Sequence, residues 1–330
     1  MHLAIVIFII GVALAFDFVN GMHDAANSIA TVVGTRVLRP FQAVLWAAAF
    51  NFIAAFGFGV HVANTIGKGV IDTGIVNEAV ILSALLGAIS WDLITWYYGL
   101  PSSSSHALIG GLVGAAFVQA GHDAVMGSGI RKVLVFIVVS PMLGFILGSF
   151  ISFLVRLFFR RAHPTIAGTT FKRLQLLSAG LYSLSHGTND AQKTMGIITV
   201  LLFSSGYLHG DFHVPLWVVL SAHLAIAAGT MSGGWRIVHT MGSRLTRLEP
   251  YDGFSAEAAA AATILYASEV GIPVSTTHTI TGAIAGVGST RRFSAVRWGV
   301  AGRIVWAWVL TIPAAALLAA LCQLVLKPLT

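Results

Sequence analysis

The sequence predicts an all-α polytopic membrane protein: two inverted repeats with broken or re-entrant helices, and about ten to twelve membrane segments. Composition sets the class. Of the 330 residues, 56% are hydrophobic and 9% charged, and the mean hydropathy is +0.85; soluble domains carry about 25% charged residues. Duplication sets the architecture, because the same motifs recur in the same order in each half. Loop charge sets the orientation, because Lys and Arg gather in a few connections. The formal net charge of +7 therefore speaks of membrane orientation and not of nucleic acid. The single cysteine, Cys322, excludes an internal disulfide and a multi-cysteine metal site.

Each half holds six apolar segments, against the roughly 20 residues that one bilayer-spanning helix needs. In the first half they run over about 3–19, 22–38, 41–60, 76–99, 101–120 and 130–159. Residues 3–15 read as a first membrane segment and not as a signal peptide, since no basic stretch precedes them and no small-residue cleavage pattern follows. A polar, basic connection over 160–173 separates a first repeat, 1–159, from a second, 174–330. The second half has segments at about 174–187, 188–207, 214–233, 254–271, 273–290 and 296–326.

The repeat is visible motif by motif. Asn20-Gly21-Met22-His23-Asp24-Ala25-Ala26-Asn27-Ser28 is echoed by His186-Gly187-Thr188-Asn189-Asp190-Ala191-Gln192-Lys193-Thr194. The offset there is 166 positions (190 minus 24). Pro101-Ser102-Ser103-Ser104-Ser105-His106 matches Pro273-Val274-Ser275-Thr276-Thr277-His278, 172 positions on (278 minus 106). Each is followed by a Gly-rich stretch, with Gly110 and Gly114 in one copy and Gly282 and Gly286 in the other. Such spacing permits close helix contact. Pro141 recurs as Pro313.

Arg156, Arg160, Arg161, Lys172 and Arg173 place the central connection in the cytoplasm. The loop near 208–213 has Asp211 and no Lys or Arg, so it is expected outside. Segments 174–187 and 188–207 together then cross once, which predicts a break or re-entrant turn at the Asn189-Asp190 motif. Arg236, Arg244 and Arg247 return the next loop to the inside, and Arg291, Arg292 and Arg297 keep a later one there. Five net crossings invert the second half relative to the first, and both termini are expected outside the cytoplasm. Arg131 and Lys132 then fall outside, offset in part by Asp123.

The chemistry lies in the repeated motifs. A carboxylate in a membrane segment costs free energy unless it is paired or coordinates something. Asp24 and Asn27 are three residues apart, on one face of a helix. Asp24, Asn27, Asp190, Asn189 and Gln192 supply the oxygen ligands that suit a hard cation or a proton. The two Pro-Ser/Thr stretches begin helices, where free N–H groups and the helix dipole meet hydroxyl side chains. Ser103, Ser104, Ser105, Ser275, Thr276 and Thr277 thus form two donor-rich cradles for a small oxyanion. Together these features read as cation-coupled anion transport. No nucleotide-binding loop is present to support ATP-driven transport. An intramembrane hydrolase would have only Ser105-His106, adjacent residues that point apart on a helix, so an enzyme is not expected.

The segment Asn20 to Thr31 resembles the first signature of the PiT family of inorganic phosphate transporters, and Ser185 to Lys193 resembles its second. Trp96-Tyr97-Tyr98-Gly99-Leu100-Pro101-Ser102-Ser103-Ser104-Ser105-His106 and Pro273-Val274-Ser275-Thr276-Thr277-His278 are also similar. The resemblance covers nearly the whole chain. It implies a multi-pass secondary phosphate transporter of a bacterial inner membrane. In the sodium-coupled branch the first motif reads Gly-Ala-Asn-Asp; here it is Gly21-Met22-His23-Asp24. That form resembles the bacterial low-affinity PitA type, linked to protons and to neutral metal–phosphate complexes. His23, a side chain that titrates near neutral pH, joins the coupling residues on this ground. The coupling ion is then H+ or Na+, with Mg2+ entering as metal–phosphate, and no resident metal or cofactor is expected. Sodium-coupled phosphate symport and sulfate permeation are the alternatives. The expected partners are inorganic phosphate and the lipid bilayer; a homodimer is one arrangement left open. Glu78, Asp92, Glu257 and Glu269 could be scaffold groups or a proton path, and Lys193 could neutralise the anion or pair with a carboxylate.

Overall fold

In an apolar medium each backbone N–H and C=O must find its partner within the chain, which favours helices. The computed structural model describes residues 2–57 and 59–327, and it contains no β-strand among them. Twelve α-helices follow in order: α1 (His2–Gly34), α2 (Pro40–Ile53), α3 (His61–Gly69), α4 (Glu78–Tyr98), α5 (Ser104–Ala120), α6 (Gly127–Phe159), α7 (Pro164–Ser204), α8 (Leu216–Ser232), α9 (Trp235–His239), α10 (Pro250–Glu269), α11 (Thr276–Arg291) and α12 (Trp298–Leu326). Four of them, α1, α4, α6 and α12, are long and apolar enough to cross a membrane. The pairs α2/α3 and α8/α9 are bent by 84° and 64° at their breaks, which makes six spans if each pair counts as one. On α6, Leu134, Val138, Met142, Ile146, Phe150 and Phe153 are exposed along one stripe, the surface that a lipid contact requires.

Two sequence expectations change here. Segments 3–19 and 22–38 are one helix, α1, and segments 174–187 and 188–207 are one helix, α7. The Asp24 and Asp190 motifs lie within these helices, not at breaks. Their glycines serve contact instead. A Cβ on Gly21 would lie 2.2 Å from the carbonyl oxygen of Ile226 in α8, and one on Gly187 would lie 2.7 Å from that of Asn51 in α2. The breaks fall in the neighbouring pairs α2/α3 and α8/α9. The connection after α6 is only the turn at 160–163, and 164–173 already belongs to α7.

Packing is exchanged between the halves. Helix α1 packs on α8 and α9, whereas α7 packs on α2 and α3; α6 packs on α11, whereas α12 packs on α5. Gly282 and Gly286 of α11 approach the carbonyls of Pro141 and Phe145 in α6, and Gly110 and Gly114 of α5 approach those of Ile312 and Ala316 in α12. Helices α1 and α7 run antiparallel: Thr35 bonds Gln175 at 2.9 Å near one end, and Asp24 meets His186 further along.

The two ends of the bundle differ in charge. At one, Asp252 pairs with Arg156 at 2.9 Å and with Arg291, and Arg247, Arg292 and Arg297 lie close by. At the other, Asp72, Asp123 and Asp211 line an open cavity of about 750 Å³. His2 bonds Glu78 at 2.8 Å, and Lys327 bonds the carbonyls of Val118 and Gln119, so both ends of the described chain lie at this second end. Met1 and 328–330, the termini whose side was read from loop charge, lie outside the described residues. Buried apolar residues form two clusters. On α1 they take Val6 to Phe16 and then Ala26 to Val32, with polar side chains between.

Candidate functional site: a buried polar layer at the helix N-termini

Between the two apolar clusters, α1 presents Asp17, Asn20, Asp24 and Asn27, spaced by three or four residues so that they share a face. Antiparallel α7 presents His186, Asp190 and Lys193. The 166-position offset sets Asn20 against His186, His23 against Asn189, Asp24 against Asp190 and Asn27 against Lys193. All eight are buried.

The layer is closed by the first turns of α5 and α11. Ser103 caps α5 by accepting from the His106 N–H at 3.3 Å, and Ser275 caps α11 by accepting from the His278 N–H at 3.2 Å. Both copies thus use the hydroxyl two residues after the proline as an N-cap. The His106 and His278 rings meet edge to face with centroids 4.8 Å apart, so the two N-termini converge. The next hydroxyls reach the two long helices, α1 and α7. Thr277 donates to Asp24 Oδ1 at 3.3 Å and accepts from Asn27 Nδ2 at 2.8 Å. Thr276 donates to Asp190 Oδ2 at 3.0 Å. Lys193 Nζ donates to Ser105 Oγ and Asp190 Oδ1, and to the Val274 carbonyl at 3.1 Å. Asn27 to Thr277 and Lys193 to Ser105 are the same contact in the two halves.

Basic groups compensate both carboxylates. His23 Nδ1 lies 2.9 Å from Asp24 Oδ1, and its Nε2 lies 3.0 Å from Thr95 Oγ1 and 3.2 Å from Ser102 Oγ. His186 Nε2 lies 3.1 Å from Asp190 Oδ2 and 3.9 Å from Asp24 Oδ2. Asp24, His186 and Asp190 hold their potential ligand atoms within 4.8 Å of one another, close enough for a metal ion. With Lys193 ammonium already on Asp190, however, an ion-pair network is the electrostatically easier arrangement. Ser104 Oγ and both oxygens of Asp92 are buried without a hydrogen-bond partner, and Asp92 faces Ser104 and His23.

Of the residues picked from the sequence, His23, Asp24, Asn27, Asp190, Ser104, Ser105, Thr276 and Thr277 come together here. Asn189 instead donates to Ser268 Oγ on α10 at 2.8 Å. Gln192 turns away and accepts from the N–H groups of Val62 at 2.8 Å and Ala63 at 3.3 Å, in the first turn of α3. His186 was passed over in the sequence, although the repeat offset sets it opposite Asn20 within the motif. Thr95 and Ser102 carried no signal of their own. Glu257 is bonded by Gln175 at 3.0 Å and Ser178 at 2.5 Å in a separate buried group, Glu78 is bonded by His2, and Glu269 is exposed.

Comparison with known proteins places the whole chain. The profile of the phosphate transporter family matches twice, over residues 20–169 and 160–319. A protein of Rhizobium meliloti (strain 1021), described as a probable low-affinity inorganic phosphate transporter, is 61% identical over 95% of this chain and 94% of its own length. One of Bacillus subtilis (strain 168) with the same description is 43% identical over 98% of each chain. A solved structure titled "The sodium-dependent phosphate transporter" superposes with a TM-score of 0.91 at 28% identity, over 99% of this chain and 100% of that one. The chain belongs to the phosphate transporter family.

Proposed function

We propose that the protein is a secondary active inorganic phosphate symporter whose substrate sits where α5 and α11 begin. One observation carries this reading: two hydroxyl-bearing helix N-termini converge on one buried place beside Lys193, between Asp24 and Asp190. Helix N-termini and an ammonium attract an anion, and the hydroxyls donate to its oxygens. The unpartnered carboxylate of Asp92 favours phosphate over sulfate, because monohydrogen phosphate has an O–H to donate and sulfate at neutral pH has none.

Phosphate entering between Lys193, Thr276 and Thr277 competes for donors that Asp24 and Asp190 hold in its absence. The carboxylates then need positive charge from elsewhere, which ties anion entry to a cation. His23 favours a proton as that cation: both ring nitrogens are engaged, with Asp24 on one side and Thr95 and Ser102 on the other, as suits a proton carrier more than a metal ligand. A divalent ion such as Mg2+ enters with phosphate as a neutral complex. Sodium coupling is the second reading, favoured by likeness to a transporter titled sodium-dependent. The Arg-rich end faces the cytoplasm of a bacterial inner membrane and both termini lie outside, in keeping with the positive-inside rule.

The test is labelled phosphate uptake into proteoliposomes with pH, sodium and magnesium gradients imposed one at a time. The expected result is accumulation under an inward proton gradient, stimulated by Mg2+, with little response to sodium. His23→Asn weakens the proton response or moves it towards sodium. Equilibration without accumulation would mean a channel. Accumulation on a sodium gradient at fixed pH, with none on a proton gradient, would transfer the coupling to sodium.

A further inference from the structure

Asp17 lies seven residues before Asp24 on α1, about 10 Å along the helix axis. It is fully buried, and neither carboxylate oxygen has a hydrogen-bond partner. It faces the hydroxyl of Thr194 on α7 and the carboxamide of Asn20 one turn along α1. Thr194 Oγ1 and Asn20 Oδ1 are themselves buried and unpartnered. Four oxygens, from three side chains on two antiparallel helices, are therefore gathered with no basic group among them.

The charged groups facing Asp17 are Asp190 and His186. Asp190 is a like charge. His186 is committed, with Nε2 toward Asp190 and Asp24 and Nδ1 at 3.2 Å from Asn51 Oδ1. Lys193 is held by Asp190, Ser105 and Val274. Asp24 and Asp190 thus have basic partners, and Asp17 has none. A buried carboxylate without such a partner calls for positive charge. An all-oxygen set with one negative charge suits a single hard cation. The repeat does not supply this feature twice: the 166-position offset sets Ser183 opposite Asp17, and Ser183 bonds the Ala179 carbonyl at 2.8 Å.

We propose that Asp17, Asn20 and Thr194 enclose a coupling-ion site that takes one positive charge, a proton or a sodium ion, apart from the Asp24–Asp190 centre. The site rests on the symport reading above. It lies on the side of the substrate centre nearer the acidic end of the bundle, where α1 begins and α7 ends, so its cation can load from that side.

The experiment compares wild type, Asp17→Asn and Thr194→Val in proteoliposomes by two readouts: accumulation of labelled phosphate under an imposed proton or sodium gradient, and exchange of labelled for unlabelled phosphate with no gradient. Wild type is expected to accumulate under one of the two gradients, and that arm names the ion. Asp17→Asn, fixed in a neutral form, is expected to lose accumulation under both while still exchanging phosphate. Thr194→Val is expected to need about tenfold more of the driving ion for half-maximal accumulation. Thermal midpoints of the purified variants establish that they are folded. Accumulation by Asp17→Asn equal to wild type would overturn the site, as would loss of exchange together with accumulation in the folded variant. Failure of the wild type to transport phosphate at all would instead overturn the symport reading.

Discussion

Replacing Ser104 with alanine separates a substrate donor from a structural hydroxyl. Ser104 opens α5 and is buried, and its Oγ has no hydrogen-bond partner within the protein. Its removal takes away a buried polar atom and no helix cap, so the thermal midpoint should fall little. If the hydroxyl donates to phosphate, its loss removes one hydrogen bond to a charged ligand, about 1.5–3 kcal/mol, or roughly 10- to 150-fold in affinity. Ser103, its neighbour, does the opposite work. It caps the helix by accepting from the His106 N–H, and Ser103→Ala should cost about 1 kcal/mol of stability with a smaller effect on substrate. The assay is the half-saturating phosphate concentration for uptake, read beside the thermal unfolding midpoint. Wild-type half-saturation in Ser104→Ala, or an equal rise in Ser103→Ala, would refute the division of labour between them.

Three further outcomes are expected. Lys193→Met leaves Asp190 buried without its ammonium, at a cost of about 3–5 kcal/mol; combining it with Asp190→Asn should recover much of the thermal midpoint and none of the uptake. Asp92→Asn removes the anionic acceptor facing Ser104, and competition assays should then find sulfate a better inhibitor of phosphate uptake than in wild type. Gly114→Leu places a side chain where even a Cβ would come within 2.0 Å of the Ala316 carbonyl, so α5 and α12 cannot seat, and the amount of folded protein recovered should fall sharply.

The class, the duplication and the neighbourhood of the site were legible because each rests on residue types that a membrane helix otherwise excludes. Asp24, Asp190 and the hydroxyl runs before Gly110 and Gly282 stand out from an apolar background. Helix continuity was not legible. The Asn189-Asp190 motif read as a break, and only the opposing backbones of Ile226 and Asn51 show that Gly21 and Gly187 beside the two motifs serve helix contact. Gln192, two residues after Asp190, turns away to cap α3; on a continuous helix the two side chains are about 200° apart, but the expected break at this motif hid that. Asp17 sits in the apolar run before the first motif, and its importance appears only when antiparallel α7 brings Thr194 to it.

The most direct test of the substrate site is to locate the anion. Arsenate is a tetrahedral mimic of phosphate whose arsenic scatters anomalously. An experimental structure with arsenate should place the arsenic between the first turns of α5 and α11, within hydrogen-bond reach of Ser104 and beside Lys193. Arsenic found only at the Arg-rich end, among Arg247, Arg291, Arg292 and Arg297, with the centre between Asp24 and Asp190 unchanged, would contradict it.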